Sequence, residues 1–214
     1  MIRSDRWWHQ HGPDILDVFH GGQVREAHIP DYTHGINRPC SVEVKRVISY
    51  GTSSAGYDLS LSVSGMQLFT SVHGRVNDAV IDPKRFDERC LVTLDAEYDY
   101  RNSPDTYYTL PAHSYALGVT HERITMPDNH IGLVIGKSTY ARCGLILNTT
   151  PLEPGWTGQL VLELSNATPL PMRVYAHEGI GQLLMIPTDE RPAVTYGDRQ
   201  GKYQDQRGIV TARV

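Results

Sequence analysis

Two short stretches of this chain combine residue types that can do chemistry. The first is Gln159-Leu160-Val161-Leu162-Glu163-Leu164-Ser165, with leucines at every second position. As a strand it places Leu160, Leu162 and Leu164 on one face and Val161, Glu163 and Ser165 on the other. A glutamate so placed is most often the solvent-facing member of an amphipathic strand. It can also sit in a partly apolar pocket, where desolvation raises its pKa and fits it for proton transfer near neutral pH. The second stretch is Gly136-Lys137-Ser138-Thr139-Tyr140-Ala141-Arg142-Cys143-Gly144, which follows the apolar run 131–135. Glycine leaves the strand, Ser or Thr can cap a short helical turn, and glycine ends it. Ser138 and Arg142, four apart, share one face of that turn. Free backbone N–H groups beside Lys137 suit a phosphate. A capped turn with solvated Lys and Arg accounts for the same residues. The spacing is not that of a Walker loop.

The ten histidines and three cysteines invite a metal reading. His121-Glu122 and His177-Glu178 are adjacent pairs, no Cys-x-x-Cys exists, and the histidines are dispersed, so surface or core histidines are the better account. Cys40, Cys90 and Cys143 are scattered and odd in number, which argues against a disulfide framework.

The elements that must hold these residues are short β segments between turn residues. Candidate strands are 57–63, 66–71, 114–120, 131–135, 159–165, 172–175 and 180–186. One short helix is expected within the first twenty residues, which carry Trp7, Trp8, Ile15, Leu16, Val18 and Phe19. Gly21 to Val42 and Glu97 to Thr109 read as linkers, surface excursions from the body. The pattern favours an all-β barrel, sandwich or jelly roll. At 214 residues, 40% hydrophobic and 21% charged, the chain suits a single domain with a sizeable core. A formal net charge of -4 gives no reason to expect nucleic acid as a partner. No apolar run reaches membrane-spanning length. The first twenty residues include Asp5, His9, His11 and Asp14, unlike a signal peptide, and a cytoplasmic protein is expected.

The 136–144 stretch resembles the Gly-[Arg/Lys]-Ser-[Ser/Thr]-x-Ala-Arg-x-Gly motif of the dCTP deaminases, in the dUTPase-like superfamily. The resemblance continues through Thr150-Pro-Leu-Glu-Pro-Gly-Trp156, Val161-Leu-Glu-Leu-Ser-Asn166 and Glu178-Gly-Ile-Gly-Gln-Leu183. Val47-Ile-Ser-Tyr-Gly51 and Gly56-Tyr-Asp58 look like the family's first block. Gly201-Lys-Tyr-Gln-Asp-Gln-Arg-Gly208 looks like its nucleotide-closing tail. Each block is weak alone; their order over nearly the whole chain from about residue 46 is specific.

What the resemblance implies is a distorted jelly roll with a short N-terminal helix, assembled as a homotrimer whose active sites are shared between subunits. The whole chain, 1–214, would form one domain, with an N-terminal helix and loop extension to about 45 and a closing tail from about 196. Glu163, Ser138 and Arg142 occupy the family's catalytic positions. Lys137, Ser138 and Thr139 fall in its phosphate-binding stretch. Glu153 stands where relatives often have Asp near the deoxyribose 3′-hydroxyl, and Tyr196, Lys202 and Gln206 match tail residues that reach the triphosphate. The implied reaction is hydrolysis of dCTP to dUTP and ammonia. One carboxylate, Glu163, would ferry protons through water attack at C4, protonation of N3 and loss of ammonia. Ser138 and a backbone carbonyl around Thr150 or Pro151 would hold the water, with Val161 among the substrate-binding residues; Arg142 would tune Glu163 and stabilise developing charge. The zinc-deaminase signature, His-x-Glu with Pro-Cys-x-x-Cys, is missing, so no protein-bound metal is expected. Magnesium would arrive on the triphosphate, and dTTP would act as a feedback inhibitor. The rival readings are a bifunctional enzyme that also cleaves dUTP to dUMP, and a non-catalytic trimeric jelly-roll module. Asp58 is expected to cap or turn the chain, with a role in the site as the alternative, and Trp156 to anchor a core or interface rather than to stack on a base.

Overall fold

The computed structural model describes residues 1–31, 41–70, 80–98 and 105–214. One helix, α1 (Asp5–Ile15), precedes a series of strands: β1 (Gln23–Asp31), β2 (Ser41–Ser53), β3 (Gly56–Ser60), β4 (Met66–Phe69), β5 (Leu91–Leu94), β6 (Glu97–Tyr98), β7 (Thr106–Leu110), β8 (Tyr115–Thr125) and β9 (His130–Gly136). A five-residue helix, α2 (Ser138–Arg142), leads to β10 (Leu145–Asn148), β11 (Thr157–Asn166), β12 (Met172–Tyr175) and β13 (Gly179–Pro187). Among the described residues the fold is thus all-β with short helices, and no helix is long and apolar enough to cross a membrane.

The strands form two five-stranded sheets, ordered β1-β2-β3-β13-β9 and β10-β11-β8-β4-β5, and a three-stranded sheet β12-β7-β6. Their named pairings are antiparallel. Both larger sheets contribute to one core, with Tyr57, Leu59, Leu183 and Met185 from the first and Leu162, Leu164, Ala116 and Met66 from the second. The leucine row of β11 behaves as its spacing requires: Leu160, Leu162 and Leu164 are buried, and the residues between them are half-exposed. β3 is buried along its whole length, as befits a central strand covered on both faces.

Each of the seven expected strand segments lies on a strand, with ends shifted by a few residues. The largest extension is β8, which runs to Thr125 rather than Thr120 because His121 and Arg123 alternate with buried Glu122 and Ile124. The helix is found at α1, where Trp8, Gly12 and Ile15 face the core. It stops as Leu16 turns extended and bridges to Ile124.

The linker reading of Gly21 to Val42 is corrected. Most of the described part of that segment belongs to a hairpin, in which β1 pairs with β2 from Gln23↔Gly51 to Asp31↔Ser41 with a bulge after Val24. Its sequence carries no apolar alternation, and Pro30 brings no N–H donor, so period-two reading passes over it. Glu97 to Thr109 likewise contains β6 and most of β7. Residues 32–40 and 99–104 of the two segments lie outside the described residues. β5 and β10 are further strands without a clear sequence signal, both only four residues long.

Candidate active site

Glu163 is on the outward face of β11, flanked by β10 on one side and β8 on the other. In register it lies opposite Asn148 of β10 and Leu117 of β8. Residues directly opposite across a ladder share a face and touch. Asn148 Nδ2 donates to Glu163 Oε2 at 3.2 Å, so the carboxylate has a polar neighbour on one flank and an apolar one on the other. Glu163 is half-buried, and burial pushes its pKa above the usual carboxylate range against the opposing effect of the Asn148 hydrogen bond. The direction suits a group that must both accept and return a proton near neutral pH.

This carboxylate lines a cavity of about 780 Å³, within the range of small-molecule sites. Thr150, Pro151, Glu153 and Val161 line it too, as do Tyr196, Lys202 and Gln206 of the tail. Eight of the site residues read from the sequence are therefore brought to one concavity. The 150–156 loop is held by mutual backbone hydrogen bonds between Leu152 and Gly132, both at 2.9 Å. Trp156 is buried and serves as an anchor: its Nε1 donates to the Tyr203 carbonyl at 2.9 Å.

The tail is docked. Gln206 exchanges two hydrogen bonds with Gln159, its carbonyl accepting from the Gln159 N–H at 3.0 Å and its Nε2 donating to the Gln159 carbonyl at 2.7 Å. The Tyr203 N–H donates to the Tyr196 hydroxyl at 3.0 Å. Lys202 Nζ donates to the Arg213 carbonyl at 2.6 Å, so its ammonium is held at the tail's own end. Glu153 is paired with Arg199 of the tail.

The residues of α2 are placed differently. Ser138, Thr139 and Arg142 are exposed. Thr139 lines a second cavity of about 790 Å³, beside Ile48, Tyr175 and Glu178, whereas Ser138 and Arg142 line neither. α2 enters β10 at Leu145, opposite Asn166, whereas Glu163 stands opposite Asn148 at the other end. Three strand steps, about 10 Å, separate those two ends before the turn itself is counted. One chain therefore does not bring Ser138 and Arg142 to Glu163.

Two local expectations are corrected. Ser138 does not cap α2: Lys137 is the N-cap residue, no side chain caps the turn, and Arg142 Nη1 donates to the Ser138 carbonyl at 3.2 Å. Gly144 ends the turn at φ 87°, where a side chain would also collide with Thr168. Asp58 does not cap or turn the chain either. It is buried on β3, where it accepts from Gln23 Nε2 at 2.9 Å and forms an ion pair with Lys137 Nζ at 2.6 Å. The Lys137 ammonium is thus turned to Asp58, and an anion beside α2 would have to compete for it.

Sequence reading did not reach Asn148, Leu117, Tyr115, Phe69 or Phe86, which surround Glu163 or extend its cavity. The proximity of all but Phe86, which precedes β5 outside any strand, is a matter of strand register, which no spacing along one segment reveals. Of the two His–Glu pairs, Glu122 is buried. Both its oxygens accept from the Ser60 N–H, at 3.1 and 3.0 Å, and Oε1 also accepts from the Ser60 hydroxyl at 2.8 Å. Glu178 is buried as well and accepts from the Ile48 N–H at 2.7 Å. The His121 and His177 rings meet edge-on at 5.1 Å. Among the described residues no group of three or more His, Cys, Asp or Glu side chains is arranged to hold a metal ion.

Residues 35–188 match the model of the dCTP deaminase-like family. A dCTP deaminase of Chloroflexus aggregans is 41% identical over 217 residues, covering 100% of this chain and 98% of that protein. A dCTP deaminase of Acidobacterium capsulatum is 41% identical over 214 residues, covering 100% and 99%. Among solved structures, the 2′-deoxycytidine 5′-triphosphate deaminase from Agrobacterium tumefaciens aligns at 15% identity and a TM-score of 0.48, over 86% of this chain and 47% of that one. The native EIAV dUTPase aligns at 19% identity and a TM-score of 0.36, over 45% of this chain and 86% of that one. The assignment rests on the sequence matches, which run end to end: the chain belongs to the dCTP deaminase-like family.

Proposed function

We propose that this protein deaminates dCTP to dUTP and ammonia by hydrolysis. The observation that carries the reading is a half-buried carboxylate of raised pKa, Glu163, at the wall of a nucleotide-sized cavity, in a chain 41% identical end to end to dCTP deaminases. A water held by Ser138 and a carbonyl around Thr150 or Pro151 gives its proton to Glu163 as its oxygen bonds to C4. The carboxyl protonates N3, and a second transfer lets ammonia leave. Arg142 stabilises the charge that develops. Tyr196, Lys202 and Gln206 close over the triphosphate, and Lys202 exchanges the Arg213 carbonyl for a phosphate oxygen as it does so.

Because Ser138 and Arg142 sit at the far end of β10 from Glu163, the working site takes them from a second copy, in a homotrimer. Leu133, Ile135 and Ile146 support this reading as exposed apolar residues on β9 and β10, which are edge strands of the two sheets. Magnesium comes with the triphosphate, bound chiefly by phosphate oxygens, and dTTP is the expected feedback ligand. The cytoplasm, where the deoxynucleotide pool resides, is the expected compartment. The deciding experiment incubates the protein with dCTP and magnesium and measures ammonia and pyrophosphate separately. Ammonia with dUTP as product is expected; equal ammonia and pyrophosphate, ending in dUMP, would overturn the simple deaminase in favour of the bifunctional enzyme.

A further inference from the structure

The two flanks of Glu163 differ in chemistry, and so do the two flanks of the bond it must serve. On the β10 side stands Asn148, hydrogen-bonded to the carboxylate at 3.2 Å. On the β8 side stands Leu117, directly opposite Glu163 in register, and Leu117 is in turn opposite Gln67 of β4. Two residues along β4 from Gln67, on the same face, comes Phe69. The ring of Phe69 meets Tyr115 edge-on at 5.1 Å and Phe86 at 6.0 Å. Leu117, Phe69, Phe86 and Tyr115 line the same cavity as Glu163. The cavity therefore continues past the carboxylate into an end walled by one aliphatic and three aromatic side chains.

Cytosine bound for deamination presents C4 to Glu163. One neighbour of C4 is N3, which with O2 makes a polar edge; the other is C5, which with C6 makes an edge of C–H groups only. Matching like with like puts N3 on the Asn148 side and C5 on the Leu117 side, since a buried polar edge against Leu117 would lose its hydrogen bonds. Resting on the deaminase reading above, we propose that the apolar end formed by Leu117, Phe69, Phe86 and Tyr115 receives a substituent at pyrimidine C5, so that 5-methyl-dCTP is a substrate alongside dCTP. The chemistry is unchanged. The water oxygen bonds to C4, the C4–N4 bond breaks, ammonia leaves, N3 keeps a proton and the methyl group stays in place, so the product is dTTP.

The test uses the full-length protein and initial rates with magnesium, following ammonia together with dUTP or dTTP by chromatography. Burying a methyl group against these side chains favours the methylated substrate by up to about fourfold, so kcat/KM for 5-methyl-dCTP is expected within tenfold of that for dCTP. Turnover of dCTP with a drop of more than tenfold for 5-methyl-dCTP overturns this inference and leaves the deaminase reading standing; no turnover of either overturns both. The second arm is the ratio of the two kcat/KM values in Leu117→Phe, or in Phe69→Trp where that variant folds better. An extra group in an apolar pocket discriminates by about 10–200-fold, so the ratio is expected to fall at least tenfold against 5-methyl-dCTP. A ratio that stays at the parent value in whichever variant folds overturns the placement of C5.

Discussion

Replacing Glu163 by glutamine tests the assigned chemistry with the least structural disturbance. The side chain keeps its length and planarity. Its Oε1 can still accept from Asn148 Nδ2, the partner that now bonds Oε2 at 3.2 Å. The change removes a half-buried carboxylate whose pKa is raised by desolvation, so the fold loses no favourable ion pair. What disappears is the capacity to take and return a proton. A positioned acid–base group contributes about a hundred- to ten-thousand-fold in rate, and a single group serving several transfers belongs at the upper end, about 5 kcal/mol of barrier. Glu163→Gln is expected to release no measurable ammonia from dCTP, while eluting at the parent's oligomeric size and binding dCTP by calorimetry. Retention of more than about a tenth of the rate, a loss below about 1.4 kcal/mol, would refute the proton-shuttle role. Loss of the folded oligomer would make the residue structural.

Other outcomes follow from the same geometry. Arg142→Ala and Glu163→Gln should each be inactive. Mixed in equal amounts under subunit exchange, they should recover activity at about a quarter of the shared sites, since random pairing joins an intact glutamate to an intact arginine that often; no recovery despite proven exchange would count against sites built from two chains. Truncation before Gly201 removes Lys202, Gln206 and the carbonyl that receives Trp156 Nε1, and should lower kcat/KM for dCTP about ten- to a hundredfold, the worth of one or two charged contacts, with the oligomer intact. Activity should survive chelation of transition metals when magnesium is restored; recovery by zinc alone would contradict it. Glu122, pushed up to about 7 by desolvation, should tilt stability with pH. The unfolded chain gives up this proton from about pH 4.3 and the folded one only near 7, so stability falls across that window and levels off above it, by about 4 kcal/mol. Denaturant unfolding across that range should show a flatter slope for Glu122→Gln than for the parent.

What was legible in the sequence was what lies along single segments. The leucine row of β11 announced both a strand and the side of it on which Glu163 stands, because alternation is a local property. The Trp and Ile residues of α1 announced a helix for the same reason. The β1–β2 hairpin was not legible. Its polar, proline-bearing sequence shows no apolar row, and the strand is paired along its length with Ser41–Ser53. Asp58 escapes local reading in the same way. Following Gly56-Tyr57 it looks like a turn residue, yet its role comes from Lys137, seventy-nine residues away, and a pairing of that range leaves no trace in local spacing.

The site divides along the same line. Residues following Asn148 reach the Glu163 cavity because the chain from β10 to β11 folds back as an antiparallel pair, so Thr150, Pro151 and Glu153 are carried there by the loop that joins the two strands. The tail arrives because Gln206 adds a parallel bridge to Gly158. Ser138 and Arg142 precede β10, and the same antiparallel pairing that delivers the loop sends them to the opposite end. A motif that reads as one catalytic set in sequence is therefore split by its own strand into two half-sites per chain. On the function proposed above, half-sites from different copies must meet to unite Glu163 with the serine and arginine, which is why Arg142→Ala and Glu163→Gln, each expected to be inactive alone, are expected to complement one another.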